Sequence, residues 1–318
     1  MPRPDLRPVR SWLTQLQADV CTAIEAIDGT RFQELEIPRA GGGLSRPRIL
    51  EGGPVIERGA VQFSHTVGTN LPPTATTRRP ELTGQSFEAV SVSLILHPRN
   101  PFAPTTHANF RVFATDGNGG PAAVWFGGGF DLTPTYGFVE DAMHWHRTAR
   151  DACAPHGAEV YPEAKAACDA YFFLPHRGET RGVGGVFFDD LEDGGFEGAF
   201  ALIRSVGDAF LPAYLPILRR RKDTPFTPHH RDFQLYRRGR YVEFNLAYDR
   251  GTRFGLQAGA RTESILASLP PVVHWRYDFK APPESAEATL VADFMRPRDW
   301  LGEYPNAPLY PSTEEPSV

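Results

Sequence analysis

Three short stretches decide the fold: "FEAVSVSLILHP" at residues 87–98, "HANFRVFAT" at 107–115 and "AVWFGGGFDL" at 123–132. Successive side chains of an extended strand point to opposite faces. In the first stretch Ser93, Ile95 and His97 therefore share one face, and Val92, Leu94 and Leu96 share the other. In the second, Thr106, Ala108, Phe110 and Val112 oppose His107, Asn109 and Arg111. The runs follow one another too closely for a crossover helix, which predicts antiparallel pairing. "RGRYVEFNLAYDRG" at 238–251 also alternates, with Tyr241, Glu243, Asn245 and Asp249 opposite Val242, Phe244, Leu246 and Tyr248, and reads as a further strand of the same kind. "VGGVFFDD" (183–190) and "PVVHWRYDF" (271–279) read as two more.

Helical spacing surrounds these strands. Val9, Trp12, Leu13, Leu16, Val20, Ile24 and Ile27 recur at three or four residues, with Gly29 as the stop. Helices are expected in 136–153, 161–174 and 284–295, and in 196–218 with an interruption near Pro212. The predicted class is α+β: one large antiparallel sheet flanked by α-helices on both faces, a single domain over residues 1–305, and a Pro-rich tail from 306 to 318 that is poorly ordered.

Composition narrows the function class. The 318 residues are 41% hydrophobic and 22% charged, with a formal net charge of −5 and no polybasic arm, so neither nucleic acid nor an anionic membrane is an expected partner. No stretch is read as a membrane span, and "MPRPDLRPVRSW" lacks the apolar core of a signal peptide, making the cytoplasm the expected location. Cys21, Cys153 and Cys168 form no CxxC pair and read as buried thiols.

The polar strand faces carry His, Asn, Arg, Asp and Ser, residue types that hold ligands, where solvated faces favour Thr, Lys and Glu. Arg111, Arg250 and Arg261 supply guanidinium forks suited to carboxylate or phosphate. The glycine clusters "FGGGFDL" and "RGVGGVF" match neither GxGxxG nor GxxxxGK, which favours carboxylate. His144 and His146 lie about 200° apart on a helix, so they cannot share a metal; His146 falls on the apolar stripe and His144 on the wet one. "DDLED" at 189–193 matches a magnesium-binding signature, but it follows a strand and reads as a charged strand end.

Taken together, "VSLILHPRNPFAPTTHANFRVF", "VWFGGGFDLTPTYGFVEDAMHWHRTARD", "HRGETRGVGGVFFDDL", "FQLYRRGRYVEFNLAYDRGTRFGLQ" and "ARTESILASLPP" resemble the oxygen-dependent coproporphyrinogen III oxidase family, over residues 63 to 301. The resemblance implies oxidative decarboxylation of two propionates of coproporphyrinogen III to vinyl groups, giving protoporphyrinogen IX, with dioxygen as co-substrate and no flavin, haem or iron–sulfur cluster. It implies His107 as proton donor, and Ser93, Asn109, Phe110, Arg111, Gly259, Ala260 and Arg261 as substrate contacts. Asp249 and Arg250 match a pair that holds the pyrrole N–H groups and a propionate. His97, His107, His146 and His176 match divalent-metal ligands, and residues 241–276 match a homodimer interface. The family reads Gly-Gly-Arg where this chain has Gly259, Ala260 and Arg261, so a methyl group narrows the approach to that backbone. The oxygen-independent solution to the same reaction needs CxxxCxxC, which these three cysteines cannot supply. A porphyrin carrier is the competing reading; it needs the arginines but neither His107 nor Asp249.

Overall fold

A computed structural model describes residues 4–39, 41–71, 76, 79–117, 122–257 and 261–304. After helix α1 (Arg7–Asp28) come the short strands β1 (Gln33–Glu34) and β2 (Ile37–Pro38), then β3 (Gly43–Glu51), β4 (Ile56–Gly68), β5 (Phe87–Pro98), β6 (Thr105–Thr115) and β7 (Val124–Thr133). With β10 (Gly184–Leu191) they form an eight-stranded antiparallel sheet in the order β1-β3-β4-β5-β6-β7-β10, β2 pairing with β3. The expected class and the antiparallel neighbours both hold.

Register turns strand parity into rows. Ser91 lies opposite Arg111, Ser93 opposite Asn109, and Ile95 opposite His107. Across the next boundary Arg111, Asn109 and His107 meet Gly127, Gly129 and Asp131. One sheet face is thus polar. The other is core: Val90, Val92, Leu94, Leu96, Ala108, Phe110, Val112, Phe126, Phe130 and Leu132 are all buried there. α1 packs on that face over β4 and β5, and α4 (Gly195–Asp208) packs on β7. Trp12 meets Phe110 and Phe200 edge-on at 5.9 and 5.8 Å.

Helices α2 (Val139–Cys153) and α3 (Val160–Tyr171) follow β7, and a small hairpin of β8 (Phe173–Leu174) and β9 (Glu179–Thr180) precedes β10. α5 (Phe210–Arg221) continues from α4; the break falls at Ala209, and Pro212 sits inside the first turn of α5. By length and composition alone Gly195–Arg221 passes for a membrane span, with mean hydropathy 1.3 over its best window. Half of that window is buried inside the protein, as in the core helix of a sheet-covered domain.

Two predicted strands are not strands. "RGRYVEFNLAYDRG" falls in α6 (Pro228–Ala247) and α7 (Arg250–Gln257). α6 starts at a capping box in which Thr227 accepts from the His230 amide and His230 Nδ1 accepts from the Thr227 amide, with Pro228 at the first position. Residues 233–242 are buried without interruption, so no exposed stripe marks the helical period. "PVVHWRYDF" is irregular chain that leaves Trp275 and Tyr277 exposed. α8 (Thr262–Leu266), α9 (Ala286–Thr289), a π-helical turn at Leu290–Phe294 and α10 (Trp300–Glu303) complete the described chain. The predicted tail, 306–318, lies outside the described residues.

Candidate active site

The polar face is roofed by elements that follow the sheet in sequence. α6 reaches it through Tyr241, edge-on to His97 at 5.0 Å. α8 reaches it where Gln62 Nε2 donates to the Ser264 carbonyl at 2.6 Å. Between these contacts the row residues Ser91, Ser93, His107, Asn109 and Arg111 are only half-buried, whereas their strand neighbours on the opposite parity are buried. The result is a polar trough on a rigid floor. Phe113 and Trp125 stack at 5.4 Å on the floor beyond Arg111.

His107 stands on this floor. Its Nδ1 pairs with Asp131 Oδ1 at 2.8 Å, and Arg181 closes on the same carboxylate through Nη2 at 2.8 Å to each oxygen. Arg181 also donates to Asn245 Oδ1 on α6 at 3.0 Å, and its guanidinium lies 4.1 Å from the centre of the Phe172 ring. Burial works to raise the Asp131 pKa, but the Arg181 charge and the His107 bond outweigh it and hold the carboxyl below its ordinary value. Asp131 thus stays ionised, orients the imidazole and leaves Nε2 turned away from the bond, the arrangement general acid–base catalysis uses.

Four residues along the strand, Arg111 lies flat over Gly127, where a Cβ would come within 2.7 Å of Nη2. Its Nη1 donates to Asn109 Oδ1 at 2.9 Å and its Nη2 to Asp189 Oδ1 at 2.7 Å. Arg250 at the start of α7 takes the other oxygen of Asp189 at 2.9 Å and rests its guanidinium 4.8 Å from the Tyr171 ring centre. Two guanidinium groups from distant parts of the chain thus converge on one carboxylate. Asp249 adjoins them: its Oδ1 accepts from the Tyr171 hydroxyl at 2.9 Å and its Oδ2 from the Thr252 amide at 2.6 Å, capping α7. Burial, then the Asp249 charge, pushes the Tyr171 hydroxyl up to about 12, so it remains a donor.

A family model described as coproporphyrinogen III oxidase matches residues 8–300. The chain belongs to that family. It is therefore an oxidoreductase of porphyrin biosynthesis whose reaction is the oxidation of coproporphyrinogen.

Placement of the remaining sequence-derived residues is mixed. Ser93 lies in the trough opposite Asn109 and Gln62. Phe110 does not: its side chain points to the opposite face, fully buried against Trp12 in the core. Arg261 sits at the start of α8, exposed and paired with Glu263 at 3.2 Å. Gly259 and Ala260 lie outside the described residues.

The four histidines do not form a metal centre. His97 is buried with its ring nitrogens on the Thr105 hydroxyl at 3.2 Å and the Ser268 carbonyl at 3.0 Å. His146 is buried with Tyr161 and the Val183 carbonyl as partners, at 3.0 and 2.9 Å. His176 stands between Glu243 and Tyr248, both at 3.0 Å. Among the described residues no three His, Cys, Asp or Glu side chains cluster in a way that could hold an ion. Burial, then the nearby charge of Arg238 for His97 and of Lys165 for His146, lowers both pKa values to about 3; these are neutral hydrogen-bonded core groups. The residues present do not fit a metal, and no step below passes through one.

Sequence reading missed Asp131, Asp189, Arg181 and Tyr171. Parity placed Asp131 beyond the glycines of β7, and "DDLED" held Asp189 in a run read as a charged strand end, which β10 bears out by ending at Leu191. A β-bulge between Phe188 and Leu191 aims Asp189 into the trough, while Asp190 and Glu192 pair with Arg79. His144, predicted to face water, is half-buried against the Pro212 carbonyl at 3.1 Å, and its stripe neighbour Asp141 is buried beside Arg221 at 2.7 Å.

Proposed function

We propose that the chain uses dioxygen to decarboxylate two propionate arms of coproporphyrinogen III to vinyl groups, releasing protoporphyrinogen IX. The observation that carries this reading is the convergence of Arg111 and Arg250 on one carboxylate within the same trough as the His107–Asp131 pair. In the free protein that carboxylate belongs to Asp189; in the complex a propionate takes its place between the two guanidinium groups. Cysteine chemistry supports dioxygen over an iron–sulfur radical route, because Cys21, Cys153 and Cys168 are buried, separate thiols.

The balance is simple. Each arm loses a hydride equivalent from the carbon next to the ring, and the electrons of the C–C bond to the carboxylate form the new double bond as carbon dioxide departs. Two arms deliver two hydride equivalents, which with two protons reduce one dioxygen to two waters. The reduced macrocycle is electron-rich, and Asp249 accepting from its pyrrole N–H groups increases that electron density. Arg111 and Arg250 hold the acid arm, and His107, its ring fixed by Asp131, delivers a proton of the two that dioxygen reduction consumes.

We assign a homodimer through residues 241–276. Its support is the exposed apolar surface of Leu246, Leu256, Leu266, Val272 and Trp275, with Tyr277 alongside. The site lies in the cytoplasm on this reading, in keeping with three unpaired thiols.

The deciding experiment incubates purified protein with coproporphyrinogen III in air and under argon, and follows products as fluorescent porphyrins after chemical oxidation. Vinyl product in air and none under argon is expected. Equal product under both gases overturns dioxygen as oxidant, and none under either makes the chain a carrier.

A further inference from the structure

Arg39 lies on the far side of the same trough. It follows β2 in a tight turn in which its amide donates to the Gly43 carbonyl at 3.3 Å and its carbonyl accepts from Gly42 at 3.0 Å. Gly42 and Gly43, at φ +99° and +88°, give the turn its shape. The Arg39 guanidinium reaches over the polar face and donates through Nη2 to Ser64 Oγ at 2.8 Å. Ser64 pairs with Ser91, Ser91 with Arg111, and Arg111 with Gly127, so these residues form a single row across β4, β5, β6 and β7.

Arg111 leans to the Gly127 end of that row and Arg39 occupies the Ser64 end. The step is three strand spacings, about 14 Å. Between the two ends of the row the sheet carries the half-buried serines Ser64 and Ser91. Most arginines near the trough have an acid: Arg111 and Arg250 share Asp189, and Arg181 has Asp131. Arg39 has none among the described residues; its guanidinium is set against Ser64 while part of the side chain remains open to solvent. Partial burial with no acid to offset it lowers its pKa from the ordinary arginine value.

We propose that Arg39 binds a second acid arm of the substrate, on the edge of the macrocycle opposite the arm held by Arg111 and Arg250. This rests on the function proposed above and adds a specificity device. A tetrapyrrole projects its acid arms from opposite edges of a disc roughly as wide as this row. A ring with acids on both edges engages both ends, and a ring with acids on one edge engages only one. Arg39 is thus a positioning residue, selecting tetracarboxylate rings and returning the macrocycle to one pose when it turns for the second decarboxylation.

The test titrates intact protein with coproporphyrin III, the oxidised and unreactive form of the ring, by quenching of tryptophan fluorescence. A porphyrin whose two acid arms sit on adjacent rings is the comparison ligand. Arg39→Ala is expected to weaken coproporphyrin III binding by roughly 10- to 100-fold, the range for losing one charge-assisted contact. The dicarboxylate ring should change by less than about threefold, Arg39→Lys should recover part of the loss, and the melting temperature should stay put because Arg39 holds only one side-chain bond. Unchanged coproporphyrin III binding in Arg39→Ala, or an equal loss for both rings, overturns the assignment. If Arg111→Ala still abolishes binding in that case, the failure is Arg39's alone. If the unsubstituted protein binds no coproporphyrin III, the proposed function fails with it.

Discussion

Gly127→Ala is the sharpest perturbation available, because it adds one methyl group under the arginine on which substrate binding is built. The backbone of Gly127 lies outside the left-handed region, so alanine adopts it without strain. The new Cβ would lie 2.7, 2.9 and 3.0 Å from Nη2, Cζ and Nε of Arg111. Non-bonded contacts of this kind settle near 3.5–4.0 Å, so the guanidinium must lift by roughly 0.5–1 Å. The lift tilts its bonds to Asp189 and Asn109, now 2.7 and 2.9 Å, and takes the guanidinium out of the place where it would meet a carboxylate squarely. Losing one charge-assisted contact costs about 1.5–3 kcal/mol, which is about 10- to 150-fold in kcat/KM. Product fluorescence at varied substrate should place most of the loss in KM, with little change in melting temperature. The neighbouring Gly128→Ala is the control. At φ +141° its Cβ would fall on the Asn109 carbonyl, so that variant should lose the sheet and not merely the site. A folded Gly127→Ala enzyme with kcat/KM within about twofold of the parent would refute Arg111 as the carboxylate anchor.

Asp249→Asn keeps an acceptor for the Thr252 amide while removing the charge, and should lower turnover ~100-fold or more with the far-ultraviolet spectrum intact; near-parental turnover removes Asp249 from the chemistry. Phe110→Ala should cost about 3–5 kcal/mol in denaturant unfolding, as for other buried phenylalanines, and leave KM of the folded fraction unchanged; a KM shift without loss of stability would return Phe110 to the substrate. His97 and His146 carry a pH dependence whose sign is fixed: unfolded, each takes a proton near 6.5, and folded, each refuses it until about 3. Their contribution is therefore complete above about 6.5 and is lost as pH falls, at up to about 1.4 kcal/mol per pH unit for each. Denaturation midpoints measured from pH 7.5 down to 5 should decline, with a shallower slope in His97→Gln; a flat profile contradicts the buried neutral histidines.

Much of the trough was legible in strand parity. "VSLILHP" and "HANFRVF" place Ser93, His107, Asn109 and Arg111 on one face and Phe110 on the other, and register confirms the rows. Parity sets Phe110 on the face opposite these residues and the structure follows parity, although the resemblance counted Phe110 among the substrate contacts. Asp249 and Arg250 were named from the resemblance, although the surrounding segment was misread as a strand. The physical reason lies in α6: Arg237, Arg238 and Arg240 are buried beside Glu179 and Glu57, so charged residues occupy interior positions and the helical stripe vanishes. An apparent period of two then remained by chance. Asp189 and Asp131 were missed because a carboxylate's role depends on which guanidinium reaches it, a tertiary fact that no local pattern encodes.

The most direct measurement is a crystal structure of the protein with coproporphyrin III bound. A propionate between Arg111 and Arg250, Asp189 released from both, and the macrocycle lying along the Ser64–Ser91–Arg111 row would be the predicted result. A macrocycle bound elsewhere, or both arginines still gripping Asp189 with the ring in place, would contradict it.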